Sequence, residues 1–168
     1  MTTQVLLLMI GGYSAALAIV AYLTRATGRR IGGAMVGGAC VGLVVLAVLW
    51  VLEALGWCHV GITWTPAFLS LLYVLSIVWC APLYLLTWRV ARRFGWVGLV
   101  VVVCVAGVLG PVHDLWAAAR FPEWITIGPG VGPVMAIAAT YIAEIVVGHA
   151  VMRLVAGASR ADRLRGGP

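Results

Sequence analysis

Three arginine clusters divide this chain into apolar runs, each about the length of a helix that crosses a bilayer. Arg25, Arg29 and Arg30 follow the first run; Arg89, Arg92 and Arg93 follow the third; Arg153, Arg160, Arg163 and Arg165 follow the last. The apolar segments fall at about 4–24, 31–55, 67–88, 94–111 and 131–152, each near the roughly 20 residues needed to cross hydrocarbon. With no water to satisfy the backbone, such runs must become helices. Of the 168 residues 64% are hydrophobic and 10% charged, which is more apolar surface than a soluble domain of this size hides. The expectation is an all-α polytopic membrane protein: one integral domain over 1–168, a bundle of five transmembrane helices, and a basic tail at 153–168.

The charge pattern orients the bundle. All eleven basic residues are arginines, against five acids. Loops rich in arginine stay on the cytoplasmic side, so the loops at 25–30 and 89–93 and the tail are expected inside. The loops at 56–66 and 112–130 hold only Arg120 and are expected outside, which puts the N-terminus outside and the C-terminus inside a bacterial plasma membrane. Arginines confined to helix ends argue against nucleic acid as a partner and for contact with membrane lipids. The first run has no basic residue before it, so it reads as a span rather than a cleaved leader.

LTRATGRRIG (23–32) and LTWRVARRFG (86–95) match at five of ten positions, which suggests two copies of one helical hairpin with a fifth helix added. In IGGAMVGGACVG (31–42), Gly33 and Gly37 are four apart, as are Gly38 and Gly42. Small residues at that spacing admit a close neighbour, expected to be the first or third span, or a second copy in a homo-oligomer. Pro82 and Pro111 are expected to bend or end their helices. GPGVGP (128–133) lacks the ending of a phosphate loop and reads as a turn into the last span. The four cysteines form no CxxC pair and read as small buried hydrophobes.

Ionisable groups inside hydrocarbon are functional candidates by default. Counting about 1.5 Å per residue from the arginine ends, Glu53 lies roughly 34 Å along its helix and Asp114 roughly 31 Å, both near the outer interface. Glu144 lies roughly 14 Å from Arg153, near the midplane. His59, His113 and Glu123 crowd the outer mouth, while His149 is expected to be solvated near the inner end. A carboxyl group enclosed in low dielectric is favoured as the neutral acid, and a neutral acid in an apolar cavity can protonate a substrate.

Tryptophan is the second unusual feature, with eight in the chain. Trp88 and Trp96 fit an aromatic belt on the inner side, and Trp57, Trp64, Trp116 and Trp124 fit one outside. The outer rings also cluster with the acids. Trp50 and Trp57 flank Glu53, Trp116 follows Asp114 by two residues, and Trp124 adjoins Glu123. An indole face attracts a cation, more strongly when desolvated. An acid to start a reaction and rings to hold a positive intermediate are the parts of carbocation chemistry. The expected catalytic residues are Glu53, Asp114 and Glu144. Trp50, Trp57, Trp116, Trp124, His59 and His113 are expected to bind a lipophilic substrate, with no metal and no cofactor.

In size, in an acid near the end of the second span (Glu53), in a later acid (Asp114) and in abundant tryptophan, the chain resembles the small integral-membrane terpene cyclases of bacterial indole-terpenoid and fungal meroterpenoid pathways. The resemblance implies a helical bundle in which a carboxylic acid protonates a terminal epoxide or alkene of an isoprenoid. The fungal members are longer, with seven spans rather than five. No DDxxD cluster occurs, so initiation by protonation is expected. A sterol-type isomerase would use similar parts. An accessory membrane subunit and a small proton-coupled transporter are the readings of other classes.

Overall fold

The computed structural model describes residues 3–61 and 65–157. It contains helices α1 (Thr3–Thr24), α2 (Gly28–Ala54), α3 (Pro66–Arg120) and α4 (Val131–Ala156), and strands β1 (Cys58–Val60) and β2 (Ile125–Ile127). All four helices are long and apolar enough to cross a membrane, as an integral membrane protein requires. Their outward surfaces carry large apolar side chains such as Leu8, Leu43, Val97 and Leu154.

The expected count of five helices is corrected to four. The expected third and fourth spans belong to one element, the 55-residue α3. A straight helix of that length would measure roughly 80 Å, far more than a bilayer core. It is not straight. Gly95 has φ 63° and ψ −144°, a conformation open essentially to glycine alone. There α3 folds back on itself. Trp79 on the first arm and His113 on the second sit with ring centroids 6.1 Å apart; along a continuous helix they would be roughly 50 Å apart. Pro82 and Pro111 leave the backbone helical, and α3 runs through Pro111 to Arg120. That extension carries Asp114 on a helix rather than on a loop.

The two ends of the bundle differ in chemistry. At one end Arg89 donates to the Thr24 carbonyl and Arg29 to the Val155 carbonyl. Arg30 and Arg92 lie 4.1 and 5.5 Å from the ring centre of Trp88. Trp88 is buried, so it belongs to the core and not to a lipid-facing belt; Trp96 is exposed. The opposite end is closed by a feature the all-α expectation omitted. β1 and β2 pair antiparallel, Cys58 opposite Ile127 and Val60 opposite Ile125. This short ribbon ties the connection after α2 to the one after α3. The turn at 128–130 leads into α4 through Gly130, at φ 109°.

Glycine sets how closely the helices approach. A Cβ on Gly33 or Gly37 would press on the α4 carbonyls of Met152 and Gly148, and one on Gly38 would press on α3 at Ile77. The Gly33–Gly37 stripe therefore packs on α4, not on α1, and the other stripe packs on α3 as expected. All four glycines are buried within the chain. Tyr84, 1% exposed, fills the three-helix junction and donates to the Glu144 carbonyl at 3.2 Å. α1 packs on α3 and not in a hairpin with α2, chiefly through Leu6, Phe68, Leu75 and the edge-to-face pair Tyr13–Trp79. The sequence echo thus has no counterpart in a repeated packed hairpin. His149 is buried rather than solvated. Cys58 and Cys80 are buried, whereas Cys40 and Cys104 face outward.

Candidate functional site

Two neighbouring helices bring the polar residues together. On the second arm of α3, His113 and Asp114 come just after Pro111. On α4, Tyr141 and Glu144 are three residues apart and share a face. The Tyr141 hydroxyl donates to Asp114 Oδ1 at 2.9 Å, and His113 Nδ1 lies 3.0 Å from the same oxygen. Gly110, one turn before Asp114, leaves the space that the Tyr141 ring occupies. The hydrogen bond therefore depends on a missing side chain in the neighbouring helix.

Three apolar cavities meet at this cluster. The largest, about 380 Å³, lies between the two arms of α3 and α4, with Trp79, His113, Tyr141 and Glu144 on its wall. A second, about 320 Å³, lies toward α1 and α2; it shares Trp79, His113 and Tyr141 and adds Asp114 and Trp124. A third, about 120 Å³, is lined by Asp114, Tyr141, Glu144 and Cys58. Tyr141 is common to all three. The arrangement is a set of lipophilic chambers with two carboxyl groups, a phenol and an imidazole at their junction.

The residues singled out from the sequence divide into two groups. Asp114, Glu144, His113 and Trp124 line the cavities. Glu53 does not line them; its Oε1 pairs with His59 Nδ1 at 3.0 Å at the rim, where the His59 side chain is 70% exposed. Trp50 and Trp116 are exposed on the outside of the bundle, and Trp57 is partly exposed, packed near Gly132. Trp64 and the tail arginines Arg160, Arg163 and Arg165 lie outside the described residues. Glu53 stays near the cluster, because its charge, with that of Asp114, acts on the Cys58 thiol. Burial first, and then these two charges, push that thiol up to about 11.

Sequence reasoning passed over Tyr141 and Trp79. For Tyr141 a signal existed, since it stands one helical turn before the midplane acid Glu144. Trp79 carried none, because its pairing with His113 follows from the fold-back at Gly95. Among the described residues no three of His, Cys, Asp and Glu gather in a metal-holding group. No protein-family model matches the chain, and no curated protein or solved structure matches it.

Proposed function

We propose that this protein is a membrane-embedded enzyme that rearranges an isoprenoid by proton transfer, as a cyclase or isomerase. The observation that carries the reading is the position of Asp114, Glu144 and Tyr141 at the junction of three apolar cavities. A lipophilic substrate reaches such a site from the bilayer, and the acids there are its polar contacts. Glu144 delivers a proton to a terminal alkene or epoxide. The π electrons of a second alkene close on the resulting cation and form the new carbon–carbon bond. Asp114, already an acceptor from Tyr141 and facing His113, removes a proton from the neighbouring carbon as the final alkene forms. One proton enters and one leaves, so the mass is unchanged. Trp79 and Trp124 line the chambers and offer indole faces to the cation. The arginine end faces the cytoplasm of a bacterial cell, as the charge rule favours.

The test is mass-neutral conversion. Membranes containing the protein are incubated with plain and terminally epoxidised prenyl aromatics and prenyl phosphates, and chromatography with mass spectrometry follows isomeric products. Conversion is expected with the natural sequence and lost in Asp114→Asn and Glu144→Gln. Conversion untouched by both substitutions overturns the reading. A silent panel with every protein gives first place to an accessory membrane subunit.

A further inference from the structure

The 380 Å³ cavity has a shape as well as a volume. On the first arm of α3 it is lined from Trp79 through Leu83 and Leu86 to Val90, a single stripe at three- and four-residue spacing. The second arm returns antiparallel from Val102 to His113. From Trp79 to Val90 the stripe is roughly 16 Å long. The apolar wall runs the length of the gap between the two antiparallel arms, which suits an extended hydrocarbon chain lying along it. The polar groups His113, Tyr141 and Glu144 gather at one end of this slot.

Continued beyond Val90, the same stripe leads toward the arginine end of the bundle. Arg93 lies three residues beyond Val90, on the same stripe and still within the helical part of the arm before Gly95. Arg89 and Arg92 stand beside it on the same arm, Arg30 from α2 shares the Trp88 ring with Arg92, and the Arg93 guanidinium lies 5.3 Å from the ring centre of Phe94. Among the described residues, none of the four carboxylates (Glu53, Asp114, Glu123, Glu144) belongs to this end. An anionic group there has several guanidinium partners and no repelling acid among those residues.

Building on the catalytic reading above, we infer that the substrate class is an open-chain isoprenoid with an anionic head. The head sits at Arg93 and its neighbours, the chain lies in the slot between the arms of α3, and the far terminus reaches the Tyr141–Asp114–Glu144 cluster. The span from Arg93 to Trp79 is roughly 21 Å. With carbon–carbon bonds of about 1.5 Å, an extended chain gains about 1.3 Å per backbone carbon, so the fit is about sixteen backbone carbons, or four isoprene units.

Photo-crosslinking of the full chain in lipid nanodiscs tests this. One geranylgeranyl phosphate probe carries a diazirine at the chain terminus, and a second carries it next to the phosphate. The terminal probe is expected on peptides holding Trp79 and Tyr141, and the head-proximal probe near Arg93. Unlabelled geranylgeranyl phosphate should compete at least tenfold better than geranyl phosphate or a sterol sulfate. Arg93→Gln should weaken competition several-fold, and Ala106→Trp, which fills the slot, should abolish terminal labelling. The competition series needs no variant, so a misfolded Ala106→Trp leaves the test intact. Equal competition by the sterol sulfate, indifference to chain length, or terminal labelling at the arginine end overturns the inference. Saturable, chain-length-dependent labelling without turnover leaves it standing and counts against the catalytic reading alone. Turnover without chain-length dependence does the reverse.

Discussion

The phenol of Tyr141 on α4 donates a hydrogen bond of 2.9 Å to Asp114 on the second arm of α3, at the one place where all three cavities meet. If Asp114 is the proton acceptor, Tyr141 orients it and stabilises its charge. Asp114→Asn is expected to slow isomer formation by about a hundredfold or more, the scale of a lost general base. Tyr141→Phe should cost less, about tenfold, by removing one hydrogen bond to a charged group. The double variant should be no slower than Asp114→Asn, because the two act through one contact. Initial rates in membranes, normalised to protein content, measure all three.

Glu53 gives the contrasting case. It stands outside the cavities, paired with a His59 side chain that is 70% exposed. An exposed pair contributes about 0–1 kcal/mol. Glu53→Gln should therefore retain conversion within about twofold and leave the melting temperature in detergent nearly unchanged. A loss comparable to that of Asp114→Asn would return Glu53 to the reacting centre.

Gly95 makes the fold-back of α3. Any residue with a Cβ is strained at φ 63° and ψ −144°, at a cost of about 1–3 kcal/mol. Gly95→Ala should lower the melting temperature clearly. Gly32→Ala serves as the comparison, since a Cβ there meets open space; it should match or exceed the parent in stability.

Close packing of α2 on α4 predicts a different defect. A Cβ at Gly37 would sit 2.7 Å from the Gly148 carbonyl oxygen, which is backbone and cannot rotate away. Overpacking of this kind costs about 1–3 kcal/mol. Gly37→Ala should melt earlier than the parent. Conversion should fall with it, because α4 carries Tyr141 and Glu144.

Cys58 reports on the charges around the site. Its thiol is pushed up to about 11, mainly by burial and further by Asp114 and Glu53. The thiolate is the form that reacts, so at pH 8 very little is present. Maleimide labelling of Cys58 should be slow at pH 8 and accelerate through pH 10. In Asp114→Asn one repelling charge is gone, the thiolate forms more readily, and the rate profile should move to lower pH. Mass spectrometry of the Cys58 peptide against pH measures both.

Much of this protein is dictated by residues acting alone. Apolar runs between arginine clusters require helices, because a backbone in hydrocarbon has no other donors or acceptors. The spacing of Gly33, Gly37, Gly38 and Gly42 announced close packing, and Asp114 and Glu144 stood out as acids in apolar surroundings. These features depend on local chemistry and on periodicity, both of which the sequence carries directly. The choice of partners is different. Nothing local says that α3 doubles back at Gly95, that Gly33 and Gly37 meet α4, or that Trp79 lands beside His113. Nor could spacing distinguish Glu53, which turns to the rim and pairs with His59, from Asp114, which turns to the cavities and meets Tyr141. A helical position fixes the depth of a side chain along its own axis. The neighbour it faces is set by rotation about that axis, and only packing against the other helices fixes that rotation.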